Sequence, residues 1–319
     1  MKHYDDPEVQ ELAIRMADAD PGIRRVAVLS LVDCGAPEAV ELLIQALKDE
    51  DPSVRQQAAK VVDEFDAEDI ADSLLAALND PDEVVRNGAA HALADLQDPS
   101  AAPPLLAALK ESNDSFVSAA ILRALKPLRV PEAQTPALER LKDDDAQVRR
   151  EAVGVLGWLK AEENLPALID CAKTDDDPEV RRAGTSALVY ASGAMVGTTL
   201  VNQLGDEHWQ VRCEAALAIG KLQYMAGIPA LIEVTRDKLW QVKEKAADSL
   251  GKLQAVDAIP ALGVCTQDPM ANLRKAAVCA LGEIGHSDGR RFIDVAMDDP
   301  DPDVRKIARW AQSKLDSAA

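Results

Sequence analysis

Four histidines (His3, His91, His208, His286), five cysteines (Cys34, Cys171, Cys213, Cys265, Cys279) and several aspartate runs are the residues of this 319-residue chain whose types suit catalysis or metal binding. Their spacing argues against both. The histidines fall in different registers of a repeat that runs the length of the chain, and the cysteines form no CxxC. No Ser/His/Asp elbow, phosphate-cradling glycine loop or zinc-type spacing is present. The aspartate runs (Asp143-Asp144-Asp145, Asp175-Asp176-Asp177, and Asp298, Asp299, Asp301, Asp303) have the oxygen-rich composition that calcium prefers. In each run, however, one Asp stands six residues before an Arg and another four residues before it, where a helix N-cap belongs. Those two structural places account for the runs. The expectation is therefore no catalytic residue, no metal and no cofactor.

The repeat that scatters the histidines is also what positions everything else. Asp precedes Arg by six residues in Asp18/Arg24, Asp49/Arg55, Asp80/Arg86, Asp143/Arg149, Asp175/Arg181, Asp206/Arg212, Asp268/Arg274 and Asp299/Arg305, and Lys243 fills the same place after Asp237. Every step is 31 or 32 residues, so the chain holds ten repeats. In the one missing step, between Arg86 and Arg149, Ser112 and Ser118 replace both members. A fixed period of this length marks an array in which each unit packs only on its neighbours. Aromatics make up 3% of the chain, which suits closely packed helices. The formal charge of −20 opposes general affinity for nucleic acid or anionic membrane. No run approaches 18 apolar residues, and the odd, scattered cysteines fit reduced thiols in a soluble cytoplasmic protein.

Each repeat reads as two helices. In the second, Pro37 to Leu47 carries apolar residues at helical spacing and forms helix A; Asp51 caps helix B and Pro52 occupies its first position. Val54, Ala58 and Val62 then line one face, four residues apart. The small residue recurs as Ala27, Ala89, Ala152, Gly184, Ala215, Ala246, Ala277 and Ala308, letting helix axes approach. Pro104, Pro136, Pro166, Pro229 and Pro260 place the first turn of helix A. Leu-Gly or Ile-Gly pairs at Gly157, Gly220, Gly251 and Gly282 are expected to close helix B. Gln312 replaces the apolar residue of the last repeat, as a terminal cap requires.

These residues, above all D-x5-R with V-R-x-x-A, resemble HEAT repeats in the short bacterial form also seen in phycobilin-lyase-type proteins. The resemblance covers about Pro7 to Leu315. It implies an all-α fold, a right-handed α-solenoid of about ten helical hairpins whose B helices line a concave face. It also implies an Asp–Arg ladder connecting successive repeats, made here of the pairs named above. HEAT-type iron hydroxylases carry His-Glu pairs at matching places; this chain has Cys213-Glu214 there and no His-Glu pair. The chain is expected to form one solenoid over residues 1–319. The fourth repeat departs from the pattern, with Ser112, Ser118, Phe116, Pro127, Pro131 and Pro136. A bend or joint near 110–136 and a merely irregular rigid repeat both fit this stretch.

The clearest rewriting lies at the cap. Seven repeats have Asp there, whereas the seventh, eighth and ninth have His208, Leu239 and Met270, with Trp209 and Trp240 following two of them. Each lost cap costs about 1 kcal/mol of helix stability, so this edge is expected to gain something else. His208, Trp209, Leu239, Trp240 and Met270 form a candidate partner-binding patch; the alternative is that both Trp fold back over the ends of the A helices. A second candidate is a basic strip one residue after the Arg, containing Arg25, Arg150, Arg182, Lys275 and Lys306. The leading expectation is a non-enzymatic scaffold, adaptor or assembly factor that holds another protein on its concave face or on the apolar edge patch of repeats seven to nine. The alternative, carried by the resemblance alone, is a subunit similar to HEAT-type bilin lyases or a cofactor-loading factor.

Overall fold

The computed structural model describes residues 4, 6–34, 36, 38–61, 67–79, 81 and 83–318. Among them are twenty α-helices and no strand. The first compact unit, Met1–Leu159, holds five hairpins. They are α1 (Pro7–Met16) with α2 (Pro21–Cys34), α3 (Ala39–Leu47) with α4 (Pro52–Val61), α5 (Ala67–Ala77) with α6 (Glu83–Asp95), α7 (Ala102–Glu111) with α8 (Ser115–Leu128), and α9 (Gln134–Arg140) with α10 (Ala146–Leu159). The second unit, Lys160–Ala319, holds five more. They are α11 (Leu165–Thr174) with α12 (Pro178–Ala187), α13 (Gly193–Gln203) with α14 (Trp209–Lys221), α15 (Ile228–Val234) with α16 (Trp240–Lys252), α17 (Ile259–Cys265) with α18 (Ala271–Ile284), and α19 (Arg290–Ala296) with α20 (Pro302–Ala318). One hairpin answers to each sequence repeat. Residues 110–136 lie inside the first unit, where α8 runs unbroken to Leu128 with Pro127 in its last turn.

Even-numbered B helices stack on one another: α2 on α4 and α6 on α8 on α10 in the first unit, α12 through α20 in the second. The valine before the ladder residue makes that stack dry. Val54, Val148, Val180, Val211, Val242 and Val304 are fully buried, each stabilising the fold by about 2 kcal/mol. The small residue one turn later is equally buried at Ala27, Ala58, Ala152, Ala215, Ala246, Ala277 and Ala308. Val62, Pro37 and Asp82 fall outside the described residues.

The glycines near the ends of the B helices do a different job from the one expected. Gly220, Gly251 and Gly282 sit inside the last turns of α14, α16 and α18, which continue to Lys221, Lys252 and Ile284. A Cβ on Gly251 would lie 2.8 Å from Ala280 Cα, and one on Gly282 2.9 Å from Ala311 Cα. These glycines let successive B helices touch. The left-handed turns that end the helices belong instead to Arg129, Lys160, Gln223, Gln254 and Gly285. Likewise α10 passes through Gly157 to Leu159. The prolines are where expected: Pro104, Pro136, Pro166, Pro229 and Pro260 all lie in the first turn of an A helix, where a missing N–H costs nothing.

Candidate functional site

The charged ladder connects hairpins with a different pairing from the one expected. Arg24 donates through Nε and Nη2 to Asp49 at 2.7 Å each, the Asp of the next repeat rather than its own. Its Nη1 donates to the main-chain carbonyls of Asp18 and Ala19 at 2.9 and 3.2 Å. The same fork joins Arg181 to Asp206, Arg212 to Asp237 and Arg274 to Asp299, and Lys243 Nζ reaches Asp268 at 3.0 Å. Each ladder Asp is held in place by its own loop. Asp49 Oδ1 accepts from Asp51 N–H at 2.8 Å, and the turn recurs at Asp18, Asp143, Asp175, Asp206, Asp237, Asp268 and Asp299. That turn aims the carboxylate away from the following Arg, which bonds its own Asp through the main-chain carbonyl, as Arg55, Arg149 and Arg305 also do. Asp80 lies outside the described residues; Arg86 donates to Pro81 O at 3.0 Å.

Burial makes these pairs matter. The Arg24 and Asp49 side chains are 7% and 10% exposed. Side-chain bonding to Asp299 and Asp206 raises the Arg274 and Arg181 guanidinium pKa values, against the opposing effect of burial. The Arg274 hydrogen bond holds Asp299 below the ordinary carboxylate range. Burial pushes Asp49 and Asp268 up, but the N–H groups of their turns and the pairing cation outweigh it, so both lie low.

At the fourth repeat the ladder survives with a substitute. Pairing across repeats means that Ser118 in place of Arg leaves Asp143 without its usual cation. Arg140, at the end of α9, supplies one. Its Nη1 reaches Asp143 Oδ2 at 3.3 Å, and its Nη2 donates to Ser112 O at 2.7 Å and Leu109 O at 2.6 Å. Ser118 Oγ itself donates to Ser112 Oγ at 3.2 Å. The loss of both charges is therefore not self-cancelling, as pairing within the repeat would have made it; a guanidinium from the neighbouring A helix takes over.

The six described cap aspartates behave alike. Asp177 Oδ1 accepts from Glu179 and Val180 N–H at 2.8 and 3.2 Å, and Asp20, Asp51, Asp114, Asp145 and Asp301 also accept from first-turn N–H groups. His208, Leu239 and Met270 make no side-chain cap bond to α14, α16 and α18. Leu239 and Met270 are 36% and 40% exposed. Trp240 differs: it is half-buried and packs on Cys265, Leu273 and Ala277 of the next hairpin. Trp209 and His208 are half-buried, and His208 Nδ1 is buried without a protein partner. The surface component of the patch is thus Leu239 and Met270, with Trp240 supporting it from the core.

Of the basic strip, Arg182 pairs with Glu179 on its own helix at 2.7 Å, Lys275 is half-buried, and Arg25 and Lys306 are exposed. Arg150 belongs to a cluster the spacing did not reveal. Arg123 of α8 donates from Nε and Nη2 to Glu151 Oε1 at 3.3 and 3.2 Å, and Arg150 Nη2 reaches the same oxygen at 3.4 Å. Lys126 Nζ stands 3.7 Å from Glu151 Oε2. Glu151 is the only buried glutamate among the described residues, and a charge in that place was its available signal.

The remaining candidates stay apart. His91 Nδ1 lies 2.7 Å from Asn87 O, and His286 accepts from Asp288 N–H. All five cysteines are free thiols, and burial pushes Cys213, Cys265 and Cys279 up to about 11. Among the described residues no group of three or more His, Cys, Asp or Glu is placed to hold a metal ion, and no helix is long and apolar enough to cross a membrane.

A family model for HEAT repeats matches residues 9–69, 41–126, 117–189 and 197–269. An engineered protein of known crystal structure matches with a TM-score of 0.51 at 19% identity, over 98% of this chain and 99% of that one. Kap95p, solved with RanGDP, matches at 0.64 and 14% identity, over 98% of this chain and 51% of its own. The karyopherin Kap121p, bound to the extreme C-terminus of the protein phosphatase Cdc14p, matches at 0.55 and 16% identity, over 98% and 42%. The chain thus spans about half or less of these karyopherins, and at such identities the likeness is one of fold, a solenoid of helical hairpins. No curated protein matches, which leaves the similarity to phycobilin-lyase-type proteins at the level of the motif. With the family model covering most of its length, the chain belongs to the HEAT-repeat family.

Proposed function

We propose that this chain is a non-enzymatic scaffold or adaptor that holds another protein against the edge of its seventh to ninth hairpins. The observation that carries the reading is the triple loss of a capping side chain at His208, Leu239 and Met270, with two exposed apolar residues in its place. Three forgone caps amount to about 3 kcal/mol, and exposed apolar side chains at an edge are what a partner buries. The karyopherins of similar fold bind proteins, Kap121p the phosphatase Cdc14p among them. Five free thiols fit a reducing compartment such as the cytoplasm.

Because Trp240 is half-buried and packs on Cys265, Leu273 and Ala277, the test uses Leu239→Asp with Met270→Asp. Affinity capture from extract of the source cells, quantified by mass spectrometry, is expected to recover a partner with the wild-type chain and to lose it with the double variant. Equal recovery by both would remove the edge from the proposal.

A further inference from the structure

The cluster on α8 and α10 is charged out of balance. Arg123, Lys126 and Arg150 converge on the single carboxylate of Glu151, an excess of two positive charges. In the rungs Arg24–Asp49, Arg181–Asp206, Arg212–Asp237, Lys243–Asp268 and Arg274–Asp299, by contrast, the Asp pairs with one cation from the preceding repeat. The exposure differs in the same sense. Ladder arginines Arg24, Arg181, Arg212 and Arg274 are 7–13% exposed, whereas Arg123, Lys126 and Arg150 are 33%, 32% and 37% exposed around a Glu151 that is 9% exposed. Glu151 fixes the three cations from below and leaves their outer N–H groups facing water.

Two further features shape the spot. Gly154 follows Glu151 by three residues and Trp158 follows Gly154 by four, so the three share one face of α10. A Cβ on Gly154 would come within 3.1 Å of Lys126 Cδ. Glycine there makes room for Lys126 to lie across α10 toward Glu151. At the far end Trp158, 44% exposed, carries the Arg129 guanidinium 4.6 Å over its ring.

We infer that this cluster is a docking site for an acidic peptide segment of a partner protein, one that brings two or more neighbouring carboxylates. The inference deepens the scaffold reading and rests on it. Guanidinium forks already oriented by a buried carboxylate lose little freedom when a second carboxylate binds, and charge-assisted bonds of this kind are the stronger class. The excess of two charges matches two guest carboxylates. A long nucleic acid fits less well, because its further phosphates would lie over a molecule whose net charge is −20.

The test is a fluorescence-anisotropy titration of the full chain with a labelled, amide-capped peptide carrying two adjacent glutamates among neutral residues, with a labelled single-stranded DNA several times longer as control. Saturable peptide binding is expected, together with much weaker DNA binding. Lys126→Gln with Arg150→Gln removes both excess charges and should weaken peptide binding by about a hundredfold, roughly tenfold for each lost charge-assisted contact. Glu151→Gln removes the internal competitor and should tighten binding severalfold, a gain that a purely structural cluster would not produce. Thermal melts check folding; where Arg150→Gln lowers stability, Lys126→Gln alone gives the same reading, its contact with Glu151 being the longest. No saturable binding, binding indifferent to these variants, weaker binding by Glu151→Gln, or DNA bound as tightly as peptide would each overturn the inference. A negative titration alongside intact partner capture would remove this cluster and leave the edge untouched.

Discussion

The ladder of the second unit and the α8–α10 region of the first use the same side chains for opposite ends. Arg181, Arg212 and Arg274 each grip the ladder Asp of the next hairpin, nearly out of water, with Nη1 on the carbonyls of their own loop, and Arg181 also touches Glu207. Around Glu151 three half-exposed cations share one carboxylate. Saturated, buried pairs hold the stack together and have nothing left to bind. Unsaturated, exposed charges contribute little to stability and keep their capacity for a guest. The stoichiometry and burial of an ion pair, rather than its presence, separate scaffold from site.

The largest effect should come from breaking a rung. Arg212→Ala leaves Asp237, 11% exposed, without its bidentate partner, and is expected to cost about 3 kcal/mol in urea unfolding. Arg305 donates only to the carbonyls of Asp299 and Pro300 among the bonds resolved here, so Arg305→Ala should cost about 1 kcal/mol. Equal losses would contradict pairing across repeats. The substitute rung is next. Arg140→Ala removes bonds to Leu109 O, Ser112 O and Asp143 and is expected to cost about 2 kcal/mol. Adding Ser118→Arg to that variant should recover most of the loss, because it restores the cation the other repeats use. In the wild-type background the same change should destabilise, since two guanidiniums would then compete for one carboxylate.

Acidity sharpens the contrast further. Asp49, Asp268 and Asp299 have folded pKa values below their unfolded ones, so their contribution is present above the unfolded value and lost as pH falls through the folded one. Asp248 and Glu283, on α16 and α18, are shifted the other way, burial being the main cause, with the charge of Glu244 adding to it at Asp248 and that of Asp248 at Glu283. Their ionisation opposes folding, and protonation relieves that opposition. Urea midpoints are expected to rise slightly as pH is lowered from neutral through the raised values of this pair, and to fall below about pH 4, where the unfolded chain's carboxylates take up protons before those of the ladder do. A monotonic fall from pH 7 would show that Asp248 and Glu283 are not held high.

The fold was almost wholly legible in the sequence because a period of 31 or 32 residues averages out local ambiguity: ten versions of one hairpin announce the same helices. Asp51 and Pro52 start α4 as their types require. Periodicity failed on partners. Asp18 and Arg24 are six apart in sequence, yet the carboxylate that Arg24 grips is 25 residues on, an offset equally fixed in the sequence but hidden by the shorter one. Gly251 looked like a helix stop because glycine serves both terminal turns and close approaches, and only the neighbouring Ala280 tells which. The Glu151 cluster escaped because its members occupy unequal registers of two hairpins and meet only through packing. Trp240 was visible as a rewritten position, but whether an indole points outward or under the next hairpin is decided by its packing on Cys265, Leu273 and Ala277.

The smallest predicted effect bears most directly on function. Leu239→Asp restores the cap that six described repeats possess, with a carboxylate placed to accept from first-turn N–H groups as Asp177 does at 2.8 and 3.2 Å. It should stabilise the chain by about 1 kcal/mol in thermal or urea unfolding. If the edge of α14, α16 and α18 were merely a degenerate cap, the gain would come without loss, and partner recovery would be unchanged. If Leu239 is kept apolar for a partner, the more stable variant should bind less well, because it puts a charge where an apolar side chain is to be buried. Stability and binding moving in opposite directions on one substitution would separate a retained contact from an accident of sequence. Met270→Asp in the next hairpin should repeat the result, whereas Asp301→Leu, which writes the rewritten cap into the tenth hairpin, should lose about 1 kcal/mol and gain no partner.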